Sequence, residues 1–302
     1  MQEGLHTIQD PHDQLKQLEK KQEFFIGIDS DGCAFDTMEI KHKECFCPNT
    51  IKYFGLQKIA KYARETWDFV NLYSQTRGCN RFLGILRVYD LLKTRKQVIE
   101  RGAVLANLLP LREWTQLETK LGTETLEAYM KQRDDGILAT VLAWSKAVNQ
   151  SIEEMVFGIP PFPLMRESLE AVTVSADVLV ISQTPLAAIT REWQENDIYQ
   201  YVRLVAGQEY GTKTEHLLFA AKGKYDDDKI LMIGDAPGDL QAAQSVNALF
   251  YPIIPGQEEQ SWDRFYNEAR NRFFAGTYKG EYETELISEF NQALPVTPWW
   301  EK

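Results

Sequence analysis

The run Phe24-Phe25-Ile26-Gly27-Ile28-Asp29-Ser30-Asp31-Gly32 constrains this chain more than any other segment. It is an apolar strand pattern that ends in two alternating carboxylates and a glycine. Side chains alternate along extended chain, so Asp29 and Asp31 point the same way. Carboxylates that close repel one another and shift each other's pKa. A divalent cation, or a proton in transit, removes the conflict. Gly32 allows a sharp exit that leaves both acids at the carboxyl edge of the strand. In open α/β sheets that edge is where ligands bind. The plainer alternative is a strand closed by an Asx-type turn.

Other segments repeat the pattern. Residues 229–243, KILMIGDAPGDLQAA, form an apolar run with Asp235 at its tip, a turn through Ala236, Pro237 and Gly238, and a helix opening at Asp239 and Leu240. A hard cation such as Mg²⁺ keeps several waters and takes one or two protein carboxylates, which Asp29 and Asp235 can supply. Asp239 reads as a helix N-cap, with or without a further role. The run 178–185, VLVISQTP, ends in Ser182 and Thr184, hydroxyls suited to an anionic oxygen. Lys213 follows another apolar segment and Gly211, and it offers a point charge to a phosphoryl group. Lys222 and Lys224 are rivals for that role.

The ordered segments DSDGCAFDT, VISQT, GTK and IGDAPGD resemble the four motifs of the haloacid dehalogenase superfamily. The resemblance covers residues 23–36 and 160–255 and is carried best by Asp29-x-Asp31-Gly32 with Asp36-Thr37, and by Gly234-Asp235 with Asp239. Cys33 stands where the family usually has Thr. The resemblance implies that Asp29 is a nucleophile that becomes an aspartyl phosphate. It implies that Asp31 protonates the leaving alcohol and later helps to deprotonate water. It further implies Mg²⁺ held by the Asp29 carboxylate, the Asp31 carbonyl and Asp235. Ser182 and Lys213 would hold the phosphoryl oxygens, and Asp239 would orient Lys213 or support the metal shell.

The rest of the chain is ordinary for a globular protein of 302 residues, with 44% apolar and 25% charged residues. No apolar run is long enough to span a bilayer, and the first residues carry no hydrophobic segment of a secretory signal, so the expected location is cytoplasmic. Cys33, Cys45, Cys47 and Cys79 lack zinc-site spacing and read as reduced thiols. The net charge of −11 argues against a nucleic-acid partner, since nothing offers a basic stripe.

Strands are expected at 24–29, 178–183, 204–208, 230–235 and 249–254, alternating with helices from about residue 164. That pattern gives an α/β fold, a Rossmann-like doubly wound parallel sheet. The organisation reads as a polar arm over 1–22, a catalytic core over 23–36 and 160–256, and a helical cap over 37–159. A C-terminal helical extension, 257–302, is expected to pack on the core. The cap expectation rests on helical periodicity almost throughout, including an unbroken stretch over 98–121, with the return hinge at Gly158–Pro163. Inserted directly after the first acidic strand, such a cap can close over Asp29. Within it, Arg77, Asn80 and Arg81 beside Gly78 are candidate substrate-binding residues, an anion clamp in an otherwise acidic chain. Surface ion pairing is their plainer role, and Trp67 and Trp144 read as core.

The expected activity is Mg²⁺-dependent hydrolysis of a small phosphorylated metabolite. A phosphomutase of the same superfamily is the alternative. So is a phospholigand-binding protein without turnover. Fold and superfamily do not name the substrate.

Overall fold

A computed structural model describes residues 11–301; the first ten residues of the expected N-terminal arm lie outside the described residues. The chain forms two compact units. One takes the residues up to Asp36 together with Pro160–Gln292, and the other takes Thr37–Ile159 together with the segment from Ala293 on.

The first unit is built on five parallel strands: β1 (Phe24–Ile28), β2 (Ala176–Ile181), β3 (Leu204–Ala206), β4 (Ile230–Gly234) and β5 (Leu249–Pro252). Their order is β3-β2-β1-β4-β5, with β1 central. Phe24 pairs with Ala176 and Ile28 with Val180 on one side, and Ile28 pairs with Ile233 on the other. Continuous Val, Ile and Leu runs suit strands buried on both faces, and β2 and β4 are buried throughout.

Helices Met165–Val172, Leu186–Glu195, Lys213–Ala220 and Pro237–Ser245 supply the crossovers. Right-handed crossovers carry the first two to one face and the last two to the other. In keeping with this, the Lys213–Ala220 and Pro237–Ser245 helices pack together. The winding reverses between β1 and β4, so the chain leaves those two strands in opposite directions and opens a crevice at their carboxyl ends. Asp29 and Asp235 stand at those two ends.

The arm and the C-terminal helices brace this sheet. Helix Pro11–Lys16 packs on the Lys213–Ala220 helix, and the Lys224 ammonium donates to the Leu15, Lys16 and Leu18 carbonyls at its end. Helices Glu258–Arg264, Arg270–Phe274 and Glu281–Ala293 follow β5. Trp262 Nε1 donates to the Cys33 carbonyl at 2.8 Å, and Tyr278 Oη donates to the Phe250 carbonyl at 2.7 Å. The chain beyond Ala293 differs from the expectation for 257–302: it belongs with the helical unit. There Trp299 and Trp300 pack edge-on against buried Phe69, and Arg95 lies 4.2 Å over the Trp300 ring.

The second unit is helix and turn. Helices Ala60–Asn71, Arg81–Thr94 and Gly136–Met155 enclose Trp67, Trp114 and Trp144, all fully buried. Trp144 Nε1 donates to Thr50 Oγ1 at 3.0 Å and Trp67 Nε1 to His42 Nδ1 at 3.2 Å, whereas Trp114 Nε1 is buried without a partner among the described residues. The unbroken helix expected over 98–121 is replaced by two, Lys96–Glu100 and Leu109–Leu117. Gly102 turns left-handed (φ +58°) between them, and Pro110 suits the first turn of the second helix rather than the interior of a longer one. Among the described residues no helix is long and apolar enough to cross a membrane.

Candidate active site

Asp29 is the first residue past β1. Its N–H donates to the Ile233 carbonyl at 3.0 Å, so sheet pairing extends to the acid itself. Its Oδ1 accepts from the Ser30 N–H at 2.8 Å, and its Oδ2 lies 2.7 Å from Lys213 Nζ. The side chain is buried.

Lys213 opens a helix whose start is fixed by a capping box. Thr212 Oγ1 accepts from the Glu215 N–H, and the Glu215 carboxylate accepts from the Thr212 N–H. The ammonium reaches Asp239 Oδ1 at 2.6 Å as well as Asp29. Asp239 Oδ2 accepts from the Ala236 N–H at 3.0 Å, which caps the Pro237–Ser245 helix. Asp239 therefore ties helix start and lysine together. It comes so near the backbone of Gly234 that a Cβ there would lie 2.4 Å from the Asp239 Cβ, so only glycine fits before Asp235.

Oxygens of Asp29, Asp235 and Asp239 all lie within 4.8 Å of one another, and all three residues are buried. Three carboxylates against one ammonium leave excess negative charge in a dry place. Burial pushes the Asp29 carboxyl well above the ordinary range, Lys213 opposes this, and Asp239 and Asp235 add to it. Burial works against the charge on Lys213, but Asp239 and Asp29 outweigh it and hold the ammonium protonated. An all-oxygen cluster with surplus negative charge suits a hard divalent cation. Asp239 is engaged at both oxygens, by Lys213 and the Ala236 N–H, and so is Asp29, by Lys213 and the Ser30 N–H.

Asp31 lies beyond the strand, partly exposed. Thr184 Oγ1 donates to its Oδ2 at 2.6 Å. Gly32, at φ +77°, makes the turn after it, and its N–H donates to the Phe35 carbonyl. Ser182 is buried at the tip of β2, and its Oγ accepts from the Thr184 N–H at 3.2 Å. That bond uses the oxygen as acceptor and leaves the hydroxyl proton for another partner. Burial, with Asp235, Asp29 and Asp239 after it, holds the Cys33 thiol well above its ordinary range, so it is an inert packing residue. His216, one turn past Lys213, is pushed down to about 4 by burial and by Lys213, and so stays neutral at ordinary pH.

The rival lysines are elsewhere. Lys222 pairs with Asp227 at 2.6 Å, and Lys224 holds the carbonyls of the N-terminal arm. Lys213 alone of the three meets the acids. The candidates in the helical unit are engaged within it. Arg77 is buried and donates to the Leu72 carbonyl. Asn80 caps the Arg81–Thr94 helix by accepting from the Phe82 N–H, and its amide donates to the Leu121 carbonyl. Arg81 donates to Ser145 and Asn149.

One contributor, Ser30, has no signature in the sequence. Ser30, between the two acids, accepts from Trp193 Nε1 at 3.0 Å and donates to Glu192 at 3.2 Å, which pins the loop from the Leu186–Glu195 helix. Thr184 is visible as a hydroxyl at a strand tip, but only the structure pairs it with Asp31.

The four segments that resemble haloacid dehalogenase motifs thus meet at one sheet edge. The fold is α/β, a five-stranded parallel sheet in the order β3-β2-β1-β4-β5. Comparison with protein-family models and with curated proteins finds no match. Solved structures of similar fold include a haloacid dehalogenase-like hydrolase from Streptococcus pneumoniae, at 12% identity, with 88% of this chain and 98% of that one covered and a TM-score of 0.45. A haloacid dehalogenase-like hydrolase from Xanthomonas campestris is 11% identical over 87% of this chain and 97% of its own, with a TM-score of 0.44. A hydrolase of subfamily IA from Geobacter sulfurreducens is 13% identical over 78% and 89%, with a TM-score of 0.38. Other similar structures carry the names of phosphatases and of a beta-phosphoglucomutase.

Proposed function

We propose that the chain is a phosphomonoesterase of the haloacid dehalogenase type, acting on a small phosphorylated metabolite. The observation that carries the reading is the Asp29–Lys213–Asp239 chain beside Asp235: a buried carboxylate at a strand tip, an ammonium bridging it to a second acid, and a third acid close by. A carboxylate oxygen of Asp29 attacks phosphorus, the ester P–O bond breaks, and Asp31 gives its proton to the leaving alkoxide. In the second step Asp31 takes a proton from water as the water oxygen attacks the aspartyl phosphate, which returns Asp29 as carboxylate and releases phosphate. Lys213, and Ser182 through its hydroxyl proton, would hold phosphoryl oxygens. Thr184 keeps Asp31 in position through both steps. Asp29, Asp235 and the Asp31 carbonyl would hold Mg²⁺, which when bound offsets the repulsion between an anionic nucleophile and an anionic substrate.

The test is hydrolysis of an aryl phosphate by the full chain with and without Mg²⁺, and by Asp29→Asn. The amide has nearly the size of the carboxylate but is no nucleophile. Turnover in the variant is expected to fall by at least about 10³-fold, the scale for removing a covalent nucleophile. Substantial phosphate release by Asp29→Asn sinks the assignment.

A further inference from the structure

Outside the acidic cluster, Arg81 is a partly buried cation held by neutral partners. The chain has 44 acidic residues against 33 lysines and arginines, and its arginines find carboxylates readily. Arg95 pairs with Glu65, Arg112 with Asp90, Arg203 with Asp177, Arg264 with Glu289 and Arg272 with Glu268. Among the described residues Arg81 has no carboxylate partner. It is half-buried on the helical unit, its guanidinium 4.9 Å from the centre of the Phe46 ring. All three of its hydrogen bonds leave from Nη1, to the Ser145 carbonyl at 3.3 Å, Ser145 Oγ at 3.1 Å and Asn149 Oδ1 at 2.7 Å. Burial alone lowers it, to about 10. Ser145 Oγ is itself shared with Thr123 Oγ1 at 2.8 Å, so Nη1 is anchored in a small neutral network.

A guanidinium carries five donors in a fixed fork, and the Nε and Nη2 edge matches two oxygens of one anion. Here the other side of the fork is fixed by neutral acceptors, the Phe46 ring centre lies 4.9 Å from the guanidinium, and the charge is partly desolvated with no carboxylate paired to it among the described residues. Partial burial of an unbalanced charge is costly, and an oxyanion that supplies two charge-assisted bonds relieves it.

We propose that the Nε and Nη2 edge of Arg81 is an oxyanion-binding site of the helical unit, taking the carboxylate or phosphoryl group of a small ligand, with Asn149 and Phe46 as its supports. The proposal stands independently of the chemistry at Asp29.

The test uses the full chain labelled with ¹⁵N-arginine, in which Arg81→Lys identifies the Arg81 Nε–H resonance. Acetate and inorganic phosphate are titrated separately at constant ionic strength. The resonance is expected to shift saturably with at least one of them, at concentrations at least tenfold below those that move the exposed Arg87 and Arg191. Whichever anion saturates first identifies the group preferred. Asn149→Asp tests the charge argument without removing the arginine. It puts a carboxylate 2.7 Å from Nη1 and is expected to weaken the anion at least tenfold. If the Arg81 signal moves no earlier than those of Arg87 and Arg191, the binding is that of an adventitious ion only and the proposal is overturned. Unchanged affinity in a folded Asn149→Asp variant overturns it as well.

Discussion

The two ends of one sheet hold buried aspartates in opposite condition. Asp177, at the start of β2, is 2% exposed and fully supplied. The Lys21 and Gln22 amides donate to it at 2.7 and 2.9 Å, Tyr225 Oη donates at 2.6 Å, and Arg203 pairs with its other oxygen. Burial works against its charge, yet Tyr225, the two amides and Arg203 outweigh it and pull the carboxyl below its ordinary range. At the other end Asp29 is as deeply buried, but it shares one lysine with Asp239 and faces Asp235, and it is driven upward. The same residue type at similar depth either holds the fold or stores reactivity. What separates the two is the count of donors set against the charge.

The comparison breaks most visibly at Lys213. Its replacement by Met removes the only cation described at the acids, and turnover of an aryl phosphate is expected to fall about 10²–10³-fold, the scale of a lost electrostatic stabiliser. Activity close to that of the parent would mean that the acids need no ammonium. At the opposite end the effect is on stability. Asp177→Asn leaves several donors around a group that no longer balances Arg203, and it is expected to cost about 2–3 kcal/mol in urea denaturation at neutral pH with little change in kcat. The sign with pH follows from the lowered carboxyl. The stabilisation by Asp177 is complete above the unfolded value of about 3.9 and is lost as pH falls through the lower folded one, so the deficit of the variant should shrink in acid.

A smaller effect probes the link between the acids. Thr184→Val keeps shape but removes the hydroxyl on Asp31, and kcat/KM is expected to drop about tenfold, or about 1.4 kcal/mol. An unchanged value would show that Asp31 is held without Thr184. The smallest effect has the opposite sign. The folded carboxyl of Asp29 is raised, so its contribution to stability is present below the unfolded value and lost as pH rises through the folded one. Metal-free Asp29→Asn should therefore denature at a higher urea midpoint than the parent at neutral pH, and the gain should vanish in acid. A lower midpoint at neutral pH would place Asp29 with Asp177 as a holding residue.

Much of the sheet edge was legible in the sequence because each part is local. Apolar runs ending in Asp29, Ser182 and Asp235 mark strand tips, and strand tips of a parallel sheet share an edge. An apolar segment followed by Gly211 singled out Lys213. The sequence left Lys213, Lys222 and Lys224 as rivals, because which lysine reaches an acid depends on the packing of two helices. Asp177 passed unnoticed, since its partners lie as far away as residue 21 and their meeting has no local pattern. The helix over 98–121 was overextended because apolar periodicity continues through a turn that Gly102 permits. Arg77, Asn80 and Arg81 share a short stretch of sequence but not one environment: one is buried, one caps a helix, and one keeps an edge of its fork open.

The return of the chain from Ala293 to the helical unit has a consequence for how the protein is made. Domains emerging from a ribosome usually fold in turn, the first completed while the next is still being synthesised, at about 5–20 residues per second. Here neither unit can be completed early. The sheet unit waits for Pro160–Gln292, and the helical unit waits for Trp299 and Trp300 to reach Phe69 and Arg95. The helical segment, translated first in full, spends the whole synthesis of the sheet unit without its last aromatic contacts, and a nascent chain stalled before Gln292 carries two unfinished cores.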